Sequence, residues 1–295
     1  MMQLDRDALQ KKVHALYAKD HAELGASGTL EHLERAEQWQ LAGALSAGGV
    51  LVFPHAGVHD CGYQIAACVQ AALDSGADDV VVLSVLHAFT PAMEAARVAV
   101  AAGVDPAQFE FWGIQGTGIA GRREWQGDHA LISWRHFWRA ELARRGIAQD
   151  KAPTVHERYP YLAGGQPQNL PGIDELARLM EDAVVVSTAD PFHHGIGYGD
   201  APEDTYDHDE AGLLHAQSVI EAGIKLLEAG DYAAYNQHCI EAKSDARDTG
   251  QVYRYLRGAM KGAVLDISCT DSSELYAQPK PTWVAGALIE WRLAD

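Results

Sequence analysis

The run Val80-Val81-Val82-Leu83-Ser84-Val85-Leu86 decides the fold class of this chain. It is apolar almost throughout, it is rich in β-branched residues, and it follows the turn-forming residues Gly76-Ala77-Asp78-Asp79. A strand whose side chains are apolar on both faces is typical of a sheet that helices cover on both sides. We therefore expect a buried strand over residues 80–86 inside an α/β protein.

Helical and extended patterns alternate along the rest of the chain. The other expected strands lie at 50–53, 109–114, 183–187, 262–268 and 283–291. The expected helices lie at 59–72, 131–145 and 211–229, with two more inside 232–255. Residues 148–172 are rich in proline and paired glycine, so we expect a long loop or lid there. This alternation predicts one α/β domain over residues 47–295.

The N-terminal segment has a helical pattern of its own. Leu9, Val13, Leu16 and Tyr17 recur at three- and four-residue spacing, and a second helical stretch follows over residues 29–45. Ala47-Gly48-Gly49 ends this stretch. We therefore expect residues 1–46 to form a helical extension of the α/β domain.

Composition narrows the possible partners and the compartment. The 295 residues carry a net charge of −18, which disfavours contact with phosphate backbones, so we expect no nucleic-acid partner. The chain has no signal-peptide pattern, and no stretch approaches the roughly 20 apolar residues of a membrane span, so we expect no membrane association. Its four cysteines are scattered without a paired spacing, which is typical of reduced thiols in a cytoplasmic protein.

Two histidines follow two of the expected strands. His55 comes directly after the strand at 50–53, and His87 comes directly after the strand at 80–86. Loops at the carboxyl ends of strands carry the functional sites of α/β sheets, so these side chains can converge on one point. Neutral imidazole is a common ligand of iron and zinc. The pattern indicates a shared metal site, and the alternative is two loop histidines exposed to solvent.

Further motifs complete a resemblance to a known superfamily. Pro54-His55-Ala56-Gly57, the strand that ends at His87, and Ser187-Thr188-Ala189-Asp190-Pro191-Phe192-His193 occur in the order found in the Memo family. Asp128-His129 resembles a segment of the related class III (LigB-type) extradiol ring-cleavage dioxygenases. The resemblance covers about residues 50–291. It implies a central mixed β-sheet with helices on both faces.

The resemblance also implies roles for individual residues. His55 and His87 would be ligands of Fe(II), and His193 would be the acid/base histidine that handles the proton of a substrate hydroxyl. His129 would assist oxygen or substrate from the second sphere. Asp190 would orient or charge-balance His193.

The third metal ligand is open at this point. Ring-cleaving enzymes use a late glutamate there and Memo proteins a cysteine, and the corresponding stretch here is 238–250. Glu241 is our expected ligand, because it would complete a face of two histidines and one carboxylate. Asp245, one helical turn on, and Cys239 are the alternatives.

These expectations combine into a function. The resemblance implies a non-haem Fe(II)-dependent dioxygenase that acts on a small aromatic, catechol-like or aminophenol-like substrate with O2. We also expect a homodimer, because helical extensions often cover a neighbouring subunit. The alternatives are a Memo-like protein that binds metal or a partner without turnover, and a zinc hydrolase that uses the same histidines.

Overall fold

A computed structural model describes residues 5–294 of the chain, and its centre is a mixed eight-stranded sheet. The strands are β1 (Val50–Phe53), β2 (Asp79–Leu83), β3 (Gly113–Gly116), β4 (Thr154–Tyr161), β5 (Val184–Thr188), β6 (Phe192–Gly195), β7 (Met260–Asp271) and β8 (Thr282–Leu293). Their order is β3-β4-β2-β5-β1-β8-β6, and β7 pairs with the other edge of β8. Strands β4, β2, β5 and β1 are mutually parallel, so their carboxyl ends share one edge of the sheet.

Helices cover both faces of this sheet, as expected. They are α1 (Arg6–Ala36), α2 (Ala42–Ser46), α3 (Val58–Asp74), α4 (Pro91–Ala101), α5 (Ile132–Arg145), α6 (Ile173–Asp182), α7 (Glu210–Ala229), α8 (Tyr232–Glu241), α9 (Arg247–Arg257) and α10 (Ser273–Tyr276). Apolar side chains of α1 to α5 join one core cluster, and those of α6 to α9 join a second. None of the helices in the described range is long and apolar enough to cross a membrane.

Strand β2 lies between the two cores. Val80 and Val82 belong to one cluster and Val81 and Leu83 to the other, and all four are fully buried. This alternation follows from the two-residue period of a strand. The strand ends at Leu83, earlier than expected, so His87 lies in the loop that leads to α4 rather than directly after the strand.

The sequence-based prediction for residues 148–172 is wrong. This stretch contains β4, which pairs with β2 and β3 inside the sheet. The first half of β4, Thr154-Val155-His156-Glu157, is polar and only partly buried, so its local pattern does not predict a strand. Pairing with the buried strand β2 supplies the stabilisation that the local sequence lacks. The sequence patterns also did not predict α4, α6 or β6.

The N-terminal extension is helical, but its elements differ from the expected pair. Helix α1 runs from Arg6 to Ala36 with a break at Gly25, whose φ of 59° only glycine adopts readily. The second helix, α2, has just five residues. Residues 1–4 of the predicted extension lie outside the described range. Helix α1 packs on α3 and α5 of the same chain.

Candidate metal centre

Three strand ends bring the predicted residues together. The loop after β1 carries His55, the loop after β2 carries His87, and the loop after β5 carries Asp190. Because these strands are parallel neighbours, the three loops lie at one edge of the sheet. The ring centroids of His55 and His87 are 5.3 Å apart. The two imidazoles are therefore close enough to share one ion.

His55 is buried and held on three sides. Its backbone N–H donates to Oδ1 of Asp190 at 3.0 Å, and its Nδ1 lies 3.1 Å from Oγ1 of Thr188. Its carbonyl oxygen accepts a hydrogen bond from the hydroxyl of Tyr17 in α1. The Nε2 atom remains, and it lies 3.2 Å from Oδ2 of Asp245. The surrounding contacts therefore aim one ring nitrogen into the cluster.

His87 is oriented by the buried carboxylate of Asp128. Its backbone N–H donates to Oδ2 of Asp128 at 2.7 Å, and its Nδ1 lies 3.1 Å from Oδ1. Burial opposes ionisation of Asp128, but the charge and hydrogen bonds of His87 hold the pKa of that carboxyl well below its usual range. An ionised carboxylate accepts a hydrogen bond from the N–H group at Nδ1, which directs Nε2 at the cluster. This Nε2 is 4.0 Å from Oδ2 of Asp245.

Asp245 supplies the carboxylate that the histidines face. Its Oδ1 accepts a hydrogen bond from the backbone N–H of Asp190 at 2.6 Å. Its Oδ2 is buried and faces Nε2 of His55, and no other hydrogen-bond partner is found for it in the described part of the chain. The residue lies in the short segment between α8 and α9, where Lys243 turns the chain at a φ of 53°. A buried carboxylate oxygen that faces two imidazole nitrogens is a candidate metal ligand.

The expected third ligand, Glu241, is not at this centre. It is the last residue of α8, it is exposed, and its Oε1 accepts a hydrogen bond from Nε2 of Gln237. The helix ends before Asp245, so the one-turn spacing no longer places the two carboxylates on a common face. Cys239 is also outside the centre, because it is buried in the second core beside Tyr235.

The ionisable side chains at the centre shift one another's pKa values. Burial lowers the pKa of His55, but the carboxylates of Asp190 and Asp245 outweigh it and raise this pKa to about 9. Burial opposes ionisation of Asp245, yet the charge of His55 lowers the pKa of that carboxyl to about 2. Burial raises the pKa of Asp190, and the neighbouring charge of Asp245 adds to this. In the ion-free protein the proton on His55 therefore takes the place of a cation.

Two further histidines border the centre in neutral form. The ring of His129 is 4.1 Å from that of His87 between centroids, and burial lowers the pKa of His129 well below its usual value. Burial likewise lowers the pKa of His193, which extends from β6. The Nδ1 atoms of both rings lack a hydrogen-bond partner among residues 5–294. Both rings are free to exchange hydrogen bonds with a bound molecule.

Burial lowers the pKa of His193 and the carboxylates of Asp245 and Asp190 oppose this, so Asp190 acts on His193 through its charge. No hydrogen bond to His193 is found in the described range, and one carboxylate oxygen of Asp190 instead holds the backbone of His55. Tyr198 packs edge-on against His193, with 4.9 Å between the ring centroids. His194 points away and binds Oδ2 of Asp200 through Nδ1.

A cavity of about 450 Å³ opens above the centre, and α1 forms one of its walls. Leu9, Val13, Leu16 and Tyr17 of α1 line it together with the candidate metal-binding residues. Polar side chains of α1 also contact backbone carbonyl oxygens of other segments. Gln10 and His14 contact that of Gly127, and Lys12 donates to those of Glu274 and Leu275. The extension thus covers part of its own chain, and the homodimer stays a prediction.

Sequence reasoning missed this wall. The apolar spacing of Leu9, Val13, Leu16 and Tyr17 was visible, but a helical face gives no information about which surface it covers. The resemblance did not help, because it begins after the extension. Only the packing of α1 across the sheet edge shows that this helix forms a wall of the cavity.

Comparison of the chain with protein-family models gave no match, and comparison with curated proteins gave none. The relation to the Memo and ring-cleavage dioxygenase superfamily therefore remains a proposal based on motifs and their order.

Proposed function

We propose that this chain is a non-haem Fe(II)-dependent dioxygenase that acts on a small catechol-like or aminophenol-like substrate with O2. His55, His87 and Asp245 are the proposed ligands. The observation that carries the proposal is the buried Oδ2 atom of Asp245, which lies 3.2 Å from Nε2 of His55 and 4.0 Å from Nε2 of His87.

The residues fit a divalent cation. A buried carboxylate is costly without a counter-charge, which the proton on His55 supplies in the ion-free protein and a bound cation would supply in its place. Thr188 and Asp128 engage the Nδ1 atoms of the two histidines, which is how metal-binding imidazoles are usually supported. Two imidazoles and one carboxylate, with the remaining positions open towards a cavity, form the ligand set of non-haem Fe(II) oxygenases. When bound, Fe(II) would supply Lewis acidity towards the substrate's two heteroatoms and the redox chemistry that O2 requires.

The chain's own residues can handle the protons of such a substrate. His193 is neutral at pH 7 because burial lowers its pKa, so one of its ring nitrogens can accept a hydroxyl proton. His129, also neutral, can donate a hydrogen bond from its other nitrogen to a bound molecule. Tyr17, Phe89 and Tyr198 line the cavity and exclude water from this exchange.

Metal content and oxygen uptake test the proposal together. Protein stripped of metal and loaded anaerobically with Fe(II) should retain about one iron per chain and consume O2 with members of a catechol and aminophenol panel. Asp245→Asn should lose most of the iron and the uptake. Glu241→Gln is the matched control, since it makes the same chemical change four residues earlier and should behave as wild type. Iron retained by Asp245→Asn but lost from Glu241→Gln would contradict the assignment.

The same measurements separate the two alternative functions. A zinc hydrolase would be active with Zn(II) and indifferent to O2. A protein that binds metal without turnover would retain iron through the same three ligands but show no uptake with any member of the panel.

A further inference from the structure

The turn that carries Asp245 has the hydrogen bonds of a Schellman motif. The backbone N–H of Ser244 donates to the carbonyl of Cys239, and that of Lys243 donates to the carbonyl of Ile240. Lys243 occupies the left-handed position of this motif, at a φ of 53°. Glycine is the usual residue there, because a side chain raises the energy of this backbone conformation. A lysine at this position therefore needs a contact that offsets the cost.

The ammonium group of Lys243 has such a contact with Asp200. Its Nζ donates to Oδ1 of Asp200, which lies in the loop after β6 and 43 positions earlier in the chain. The two side chains are only 30% and 20% exposed, so water screens this pair less than one on the open surface. Burial raises the pKa of Asp200, but the hydrogen bonds from Lys243 and from the backbone of Gly195 outweigh it and lower this pKa. Asp200 is therefore ionised at neutral pH.

The second oxygen of Asp200 holds the end of β6. Its Oδ2 accepts a hydrogen bond from the backbone N–H of Gly195 at 2.7 Å and lies 3.1 Å from Nδ1 of His194. These two residues directly follow His193 in β6. One carboxylate thus contacts both the strand end that carries His193 and the turn that carries Asp245.

Backbone contacts join the same two segments on the side of the centre. The N–H of His193 donates to the carbonyl of Ala242 at 3.3 Å. The N–H of Asp190 donates to Oδ1 of Asp245 at 2.6 Å, and the N–H of Asp245 returns a bond of 3.4 Å to the carbonyl of Asp190. The position of the Asp245 carboxylate therefore depends on how closely this turn lies against β6 and the loop before it.

We propose that Asp200 is a positioning residue of the candidate metal centre. It holds Lys243, and with Lys243 the turn that sets the carboxylate of Asp245 against the two histidines. Through Gly195 it also holds the strand end that carries His193. The effect on metal affinity rests on the proposed function, whereas the position of the Asp245 carboxylate can be measured without a metal.

A double-mutant cycle on Co(II) affinity tests the metal-dependent part. Asp200→Asn keeps the size of the side chain but removes the charge that binds Lys243, so we expect affinity in a chelator competition to fall about tenfold. Lys243→Met should cause a similar loss. The double variant should lose no more than either single variant, because both changes remove the same contact. Lys243→Arg should keep most of the affinity, since a guanidinium can also bind Asp200.

Matched controls remove the same charges at exposed positions. Asp204→Asn lies four residues after Asp200, and Lys225→Met lies in α7. Both should bind Co(II) as the wild type does. Wild-type affinity in Asp200→Asn, or losses from the two single variants that add fully in the double variant, would overturn the proposal.

Hydrogen exchange in the metal-free protein tests the position of the carboxylate directly. The amide of Asp190 donates to Oδ1 of Asp245, so its exchange rate, measured by NMR, reports whether that carboxylate is in place. Asp200→Asn should speed this exchange about fivefold and leave the amides of the central strand β5 unchanged. An unchanged rate at Asp190 would overturn the proposal. A wild type without affinity for Co(II) would refute the metal centre, and the exchange rate would still decide the role of Asp200.

Discussion

The Nε2 atom of His55 lies 3.2 Å from the Oδ2 atom of Asp245, although the two residues are 190 positions apart. His55 follows the central strand β1, and Asp245 follows helix α8. The contact between these two side chains joins the edge of the sheet to helices α8 and α9, which pack in the second core. The same carboxylate approaches His87, so it is the point at which both histidines converge.

Asp128 should control metal affinity through His87. Asp128→Asn removes the charge that holds the Nδ1 proton of His87, so we expect affinity for Fe(II) to fall about 10- to 100-fold. Anaerobic competition with a chelator measures this change. Asp150→Asn, an exposed acid without an ion pair in the described range, should leave the affinity unchanged. Equal affinities of Asp128→Asn and the wild type would show that Asp128 does not orient the ligand.

Metal binding should release a proton from His55. In the ion-free protein the pKa of His55 is raised to about 9, so the ring is protonated at neutral pH. A metal binds only the neutral ring, and affinity should therefore rise with pH, about tenfold per unit, until it levels off near pH 9. Competition titrations with Co(II) between pH 6.5 and 9, corrected for the protonation of the chelator, measure this slope. A flat profile would mean that His55 is neutral before the ion binds.

The hydroxyl of Tyr17 should stabilise the protein through the carbonyl of His55. Tyr17→Phe leaves a buried acceptor with one partner fewer, so we expect the free energy of unfolding to fall by about 1 to 2 kcal/mol. Urea denaturation of the metal-free protein provides the measurement. Tyr255→Phe is the control, because that side chain is 41% exposed, and it should cost less than about 0.5 kcal/mol. Equal losses of unfolding free energy in the two variants would show that the contact between Tyr17 and His55 gives no specific stabilisation.

His193 should act in turnover and not in metal binding. His193→Gln keeps a polar side chain but removes the titrating group, so we expect oxygen uptake to slow by about 10²- to 10⁴-fold with iron content unchanged. His208→Gln, at an exposed position, should match the wild type in both measurements. Loss of iron from His193→Gln would instead indicate a ligand, and an unchanged rate would exclude the proton-transfer role.

The sequence determined the sheet class, most of its strands and the histidines of the centre. Strand β2 is apolar at every position that its two cores require, and this pattern is local to the strand. His55 and His87 could be identified because parallel strands carry their sites at their carboxyl ends, which makes position along the chain a guide to position in space.

The tertiary structure alone shows which carboxylate faces the two histidines, that residues 154–161 form a strand, and which surface α1 covers. The sequence favoured Glu241 and left Asp245 as an alternative, and only the end of α8 and the turn at Lys243 bring Asp245 to the histidines. Strand β4 forms because β2 and β3 pair with it, and α1 covers the cavity because its apolar face fits that edge. Local periodicity reports which residues are buried, whereas the partner against which they are buried depends on contacts between distant segments.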